Sequence, residues 1–188
     1  MKYDEYLKSA QKHLYGCASL LVAYESGKKN DTHVWLELYY LSGYIIEGIT
    51  VYSAYKLNGW DPSKDIQKWY DLEFTKRTKL DFWDKRTKIV NGKETRPHYF
   101  QNRPEGSLSV QHHKFQEIVK NMLRPDPSFN DTPYLGSGDI DTDVEELIDK
   151  WEPEVRYYYN GQENIPKLNQ DLVARLIKTC WTIYTKHI

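Results

Sequence analysis

Cysteine is scarce in this sequence: Cys17 and Cys180 are the two among 188 residues, too few for a disulfide framework or a zinc site. Both fall on apolar stripes with helical spacing, where a reduced thiol behaves as a small hydrophobe. Net charge is also nearly missing. Lys and Arg total 26 against 27 Asp and Glu, so no whole-molecule field draws the chain to nucleic acid or to an anionic membrane. Any electrostatic function has to be local.

A long charge-free apolar run is missing as well. The most apolar stretch, Val34 to Leu57, contains Glu37, Glu47 and Lys56 and many tyrosines, which predicts a buried bundle helix and not a membrane span. The first residues enter an amphipathic pattern without the apolar core of a signal peptide, which predicts a cytoplasmic protein. Phosphate-binding Gly-rich loops, the His-Glu-x-x-His metalloprotease pattern and the Gly-x-Ser-x-Gly elbow do not occur. Asp139, Asp141 and Asp143 resemble the start of a calcium loop, but Val144 stands where the turn glycine belongs and Lys150 where the bidentate glutamate belongs. The sequence thus implies no metal and no cofactor.

What the chain does contain is helical periodicity. Tyr3, Leu7, Ala10, Leu14, Cys17, Leu21 and Tyr24 recur at alternating spacings of four and three, one stripe of a first helix. After the turn-like run from Ser26 to Asp31 the rhythm returns in Val34, Leu38, Leu41, Ile45, Gly48, Tyr52 and Tyr55, predicting an antiparallel partner. This second helix is apolar on other faces too, through Leu36, Tyr40, Ile46, Ile49 and Val51. It therefore sits centrally or faces a second subunit, and Asn58-Gly59 ends it.

From about residue 61 to 107 the rhythm gives way to aromatic and basic residues. Asn91-Gly92, between Lys88-Ile89-Val90 and Lys93-Glu94-Thr95, is a hairpin signal. A third helix is predicted from Ser109 to Leu123, a short fourth from Asp143 to about Trp151, and a last one from about Leu168 to Ile188 burying Leu172, Leu176, Cys180 and Ile183. The expectation is one all-α domain over residues 1–188, an antiparallel up-and-down bundle of about five helices with a small inserted β-hairpin.

Three segments in order carry a family resemblance: Tyr40-Leu41-Ser42-Gly43-Tyr44-Ile45-Ile46-Glu47-Gly48, then His113-Lys114-Phe115-Gln116-Glu117-Ile118, then Glu154-Val155-Arg156-Tyr157. Together they resemble the HEPN family, in which a central helix carries an acid within an apolar run, a His opens the next helix, and an Arg-Tyr pair precedes the last. The resemblance covers residues 1–58 and 109–188 and leaves the insertion outside. It implies a dimerising helical bundle of a family that includes nucleotide-binding modules, metal-independent RNases and partners of nucleotidyltransferases in toxin–antitoxin or defence systems. The family RNases carry an Arg, four to six intervening residues and then a His on one helix, so that dimerisation brings two such pairs together at an RNA backbone. No such pair occurs here: Arg96 and His98 are too close, Arg103 and His112 too far apart.

The expected function is a homodimeric binding module for a nucleotide, RNA or a protein partner such as a nucleotidyltransferase or antitoxin. The ligand-binding candidates are Glu47, His113, Arg156 and Tyr157. Two alternatives are a metal-independent RNase with a rearranged site, such as His113 and Arg156 across a dimer, and a structural interaction protein using the Tyr-rich surface. Glu47 is the sharpest anomaly, because a carboxylate in an apolar helix has to find a partner or take up a proton. A second candidate surface lies between Phe74 and Phe100, where eight Lys and Arg outnumber three acids by five. There Arg77, Lys85 and Arg86 would meet phosphates while Trp83 stacks a base. The alternative for that segment is a solvated hairpin whose aromatics cover the bundle.

Overall fold

A computed structural model describes residues 1–25, 32–57, 59–66, 70–74, 80–84, 88–95, 108–109, 140–157 and 167–188. These are mostly helical. Helix α1 is Asp4–Glu25, α2 is Thr32–Leu57, α3 is Thr142–Asp149 and α4 is Gln170–Thr185, with a 3-10 helix at Pro153–Tyr157.

The first stripe packs as its spacing predicts. Tyr3, Ala10, Leu14 and Cys17 are buried, and Leu7, Leu21 and Tyr24 lie partly buried against the same core. Its partner α2 is the central element, in contact with α1, α4 and the 3-10 helix. Residues on several of its faces are buried, among them Leu36, Leu38, Tyr39, Ile45, Ile46, Ile49, Val51 and Tyr55. Of the residues on its other apolar faces, Leu36, Ile46, Ile49 and Val51 are buried within the chain and Tyr40 is half-buried. Two buried hydroxyls on α2 are satisfied along the helix itself, Ser42 Oγ donating to Leu38 O at 2.7 Å and Ser53 Oγ to Ile49 O at 2.8 Å.

Two glycines let neighbours approach α2. A Cβ at Gly48 would lie 2.7 Å from the Tyr6 carbonyl oxygen of α1, and one at Gly43 would lie 1.8 Å from Trp151 Cε2. A glycine within a helix costs about 1 kcal/mol of propensity. Here that cost is offset by the close seating of α1 and of the Trp151 indole.

The C-terminus of α2 is a Schellman motif. Gly59, at φ +67°, gives its N–H to Lys56 O, the Trp60 N–H reaches Tyr55 O, and the Trp60 ring packs edge-on to Tyr55 at 5.9 Å. Helix α3 starts one residue earlier than expected. Asp141 caps it, its Oδ1 accepting from the N–H groups of Asp143 and Val144. Asn169 caps α4 by accepting from Leu172 N–H at 2.9 Å. Helix α4 buries Leu172, Leu176, Cys180 and Ile183, the four residues its periodicity selects. Cys17 and Cys180 are free, buried thiols.

The insertion holds more β-structure than a single hairpin. Strand β1 (Tyr70–Phe74) lies between β2 (Leu80–Asp84) and β5 (Leu108–Ser109), antiparallel to both, with Leu72 opposite Phe82 and Phe74 opposite Leu108. The Asn-Gly hairpin joins β3 (Lys88–Val90) to β4 (Lys93–Thr95). Positive φ at Asn91 (52°) and Gly92 (73°) matches the handedness its turn needs. Ile89 and Val90 on this hairpin are exposed. Ser109, expected to cap the third helix, ends β5 opposite Glu73. The rest of that expected helix, residues 110–123, lies outside the described residues.

Candidate functional site

Tyr40, Tyr44 and Glu47 follow one another at helical spacings of four and three, so they form a single stripe along α2, and all three stay half-buried. The stripe is held from the side by the segment after α3. Trp151 sits on Gly43, its ring edge-on to Tyr44 with centroids 5.3 Å apart, while its Nε1–H donates to Tyr40 O at 3.1 Å. One turn earlier on α2, Tyr39 OH donates to Leu147 O at 2.8 Å. These contacts and buried Val155 anchor the 3-10 helix, so Arg156 and Tyr157 project from a fixed support.

Arg156 and Tyr157 are themselves exposed, Tyr157 by 69%. The Arg156 guanidinium lies over the Tyr157 ring, 4.5 Å from its centroid, and an Nη2–H donates to the Tyr157 hydroxyl. Hydrogen bonds to the hydroxyls of Tyr40 and Tyr157 stabilise the cation and raise its pKa further. Tyr40 in turn donates to Tyr44 OH at 3.1 Å, with the two rings edge-on at 5.0 Å. The exposed guanidinium thus stands beside a pair of hydrogen-bonded phenols at the edge of the half-buried stripe.

The stripe's ionisable groups are tuned mainly by burial. Tyr44 is pushed up to about 12, first of all by burial. The nearby Glu47 charge adds to this, and Arg156 opposes it. Glu47 is raised from 4.5 to about 7 by burial. His13 of α1, whose ring lies 6.2 Å from that of Tyr44, is shifted downward by burial and by Lys12.

Three of the four expected ligand-binding residues can be placed. Glu47 and Arg156 both lie close enough to act on Tyr44, Tyr157 is paired with Arg156, and His113 lies outside the described residues. The ion pairs among the described residues do not join Glu47 to Arg156. Both act instead on the phenol between them. The second candidate surface is out of reach: Arg77, Lys85 and Arg86 lie outside the described residues, and for Trp83 only the backbone is described, in β2 opposite Asp71.

Several residues of chemical interest carried signals that sequence reading passed over. Tyr40 and Tyr44 sit at a helical i,i+4 interval next to Glu47. Arg175 binds Asp141 at 2.6 Å, Asp171 at 3.0 Å and Asp143 at 3.3 Å, which gives the acidic run before α3 a cationic partner. His187 Nδ1 lies 2.8 Å from Ser53 Oγ, and burial, aided by Lys56, lowers its pKa from 6.5 to about 4. No sequence pattern announces that pairing, because its members are 134 residues apart.

Among the described residues no cluster of His, Cys, Asp or Glu could hold a metal ion, and no helix is long and apolar enough to cross a membrane. In comparisons with family models, curated proteins and solved structures, nothing matches this chain.

Proposed function

We propose that this chain is a HEPN-like binding module, acting in the cytoplasm as a homodimer, that engages a nucleotide or single-stranded RNA at Arg156 and Tyr157. The observation that carries this reading is an exposed guanidinium lying over an exposed phenol ring, on a 3-10 helix seated on α2 through Trp151 and buried Val155. A cation supplies the phosphate contact. An aromatic face supplies stacking worth about 1–3 kcal/mol per base with little sequence preference. Holding both on a buried anchor lowers the ordering cost of binding. The order of the three family-like segments supports a nucleotide-type ligand and a protein partner such as a nucleotidyltransferase or antitoxin.

Fluorescence anisotropy with a labelled single-stranded RNA and with ATP tests the reading. Tyr157→Ala should weaken binding about 5- to 150-fold, the range that corresponds to one lost stack. Because Tyr157 is exposed, its loss should leave the fold intact. Binding to both probes that is indifferent to Tyr157→Ala and Arg156→Ala would refute the assignment. Light scattering tests the homodimer, and a concentration-independent monomer mass would remove it.

Glu47 favours one second reading. A carboxylate with a pKa of about 7 is part protonated at neutral pH, the condition that suits general acid–base work. In a metal-independent RNase of rearranged design, Glu47 or His113 would take the proton and Arg156 would face the phosphate. Cleavage of RNA in the presence of a chelator, lost in Glu47→Gln, distinguishes this reading from binding alone.

A further inference from the structure

A groove of about 410 Å³ runs along the outer side of α4, well away in sequence from the Arg156–Tyr157 pair. Lys178, Thr182 and Lys186 follow one another at intervals of four along it, and Thr179, Ile183 and Ile140 complete its floor. Its volume falls in the range of small-molecule sites, about 300–1,000 Å³.

The charges in this groove are unevenly committed. Arg175, at one end, is already surrounded by the carboxylates of Asp141, Asp143 and Asp171, so it closes the groove and does not present a free cation. Lys178 and Lys186 are exposed and make no ion pair among the described residues. Their backbones are about 12 Å apart along the helix, close enough for two flexible ammonium groups to converge on one anion.

The threonines have a defined polarity. Thr179 Oγ1 donates to Arg175 O at 2.9 Å and Thr182 Oγ1 donates to Lys178 O at 3.0 Å. Their protons are spent on the helix, which leaves their oxygens as acceptors for hydroxyl donors. Ile140, half-buried, adds an apolar surface against which a carbon skeleton can lie.

We propose that this groove is a binding site for a small hydroxylated organic phosphate, its phosphoryl group held by Lys178 and Lys186 and its hydroxyls by Thr179 and Thr182. The site uses none of the residues assigned to the RNA or nucleotide surface, so it stands or falls separately. An ammonium pair recognises the doubly charged phosphoryl group as a point-charge clamp. The threonine acceptors and the isoleucine floor separate an organic phosphate from the bare ion.

Isothermal titration of the full chain with glucose 6-phosphate, inorganic phosphate and glucose tests this. We expect saturable binding of glucose 6-phosphate, weaker binding of inorganic phosphate and none of glucose. Lys178→Ala/Lys186→Ala should weaken glucose 6-phosphate at least roughly tenfold, with an unchanged far-ultraviolet spectrum showing that the fold survives the loss of two exposed side chains. Absence of saturable binding, or binding unchanged in the double variant, overturns the site. Inorganic phosphate binding as tightly as glucose 6-phosphate overturns the organic-phosphate assignment.

Discussion

Replacing Glu47 by Gln should stabilise the protein above neutral pH and do nothing to it in mild acid. Burial raises the folded-state pKa of Glu47 from 4.5 to about 7. Below pH 4.5 the carboxyl is protonated in both the folded and the unfolded chain, so it carries no penalty. Between 4.5 and about 7 the unfolded chain releases the proton while the folded chain keeps it, so stability falls as pH rises. Above about 7 the full cost is present. That difference in pKa corresponds to about 3 kcal/mol, which the residual exposure of the half-buried side chain lowers to about 2 kcal/mol. In a chain of this size about 2 kcal/mol moves the melting temperature by roughly 4–8 °C. Scanning calorimetry of both proteins at pH 4.5 and pH 8 should show coincident transitions at the first and the Gln variant melting higher at the second. A gap that is the same at both pH values, or a Gln variant less stable at pH 8, would refute the assignment of the shift to burial.

His187 sharpens this test, because its pKa moves the opposite way, from 6.5 to about 4. Its neutral form is favoured in the folded protein, so its contribution is complete above pH 6.5 and lost as pH falls through about 4. Between about 4.5 and 6.5 the unfolded chain binds one proton fewer than the folded chain at Glu47 and one more at His187. The two slopes oppose each other, and the wild type is nearly flat over this window as far as these groups are concerned. Glu47→Gln removes one slope, so the variant should lose stability on acidification from pH 6.5 to 4.5 more steeply than the wild type.

Gly43→Ala places a Cβ within 1.8 Å of the Trp151 ring, and expelling the indole should cost about 1–3 kcal/mol, with a red-shifted tryptophan emission reporting its release. Asn169→Ala removes the α4 cap and should cost about 1 kcal/mol in urea denaturation, while Asn169→Asp or Asn169→Ser should retain most of it. Gly59→Ala puts a side chain at φ +67° in the α2 terminus and should cost about 1–2 kcal/mol by the same measurement. On the proposed reading, RNA at Arg156 would add negative charge near Tyr44 and Glu47 and so favour the protonated carboxyl. Its affinity should therefore fall between pH 6 and pH 8, and Glu47→Gln should flatten that dependence.

The sequence disclosed helices better than strands because the two patterns differ in length and contrast. Seven apolar residues at alternating spacings define α1, and the same rhythm with extra apolar positions marks α2 as central. Strand β1 does alternate, Tyr70-Asp71-Leu72-Glu73-Phe74, but it is five residues long and set among basic and aromatic residues, so composition obscured its period. Its pairing with Leu108–Ser109 is a long-range event that no local pattern announces. Of the site, Glu47 was visible as a charge in an apolar run, and Arg156-Tyr157 as a pair before the last helix. Trp151, which joins them by sitting on Gly43, is an unremarkable aromatic until the fold brings two segments 108 residues apart into contact.

Helix α2 shows why chemistry would concentrate at this stripe. Its contacts with α1, α4 and the 3-10 helix bury most of its side chains, and its buried serines satisfy their hydroxyls on the helix itself. The Ser42 and Ser53 hydroxyls are thus spent on structure. Along Tyr40, Tyr44 and Glu47 the side chains stay half-buried, and the two phenols are hydrogen-bonded to each other beside an exposed cation. A larger apolar residue in place of Glu47 would remove a group whose ionisation opposes folding at neutral pH and would bury more surface. Stability alone therefore argues against a carboxyl at this position. What that carboxyl provides instead is a charge that changes near pH 7 beside Tyr44, a phenol on which Arg156 acts in the opposite sense.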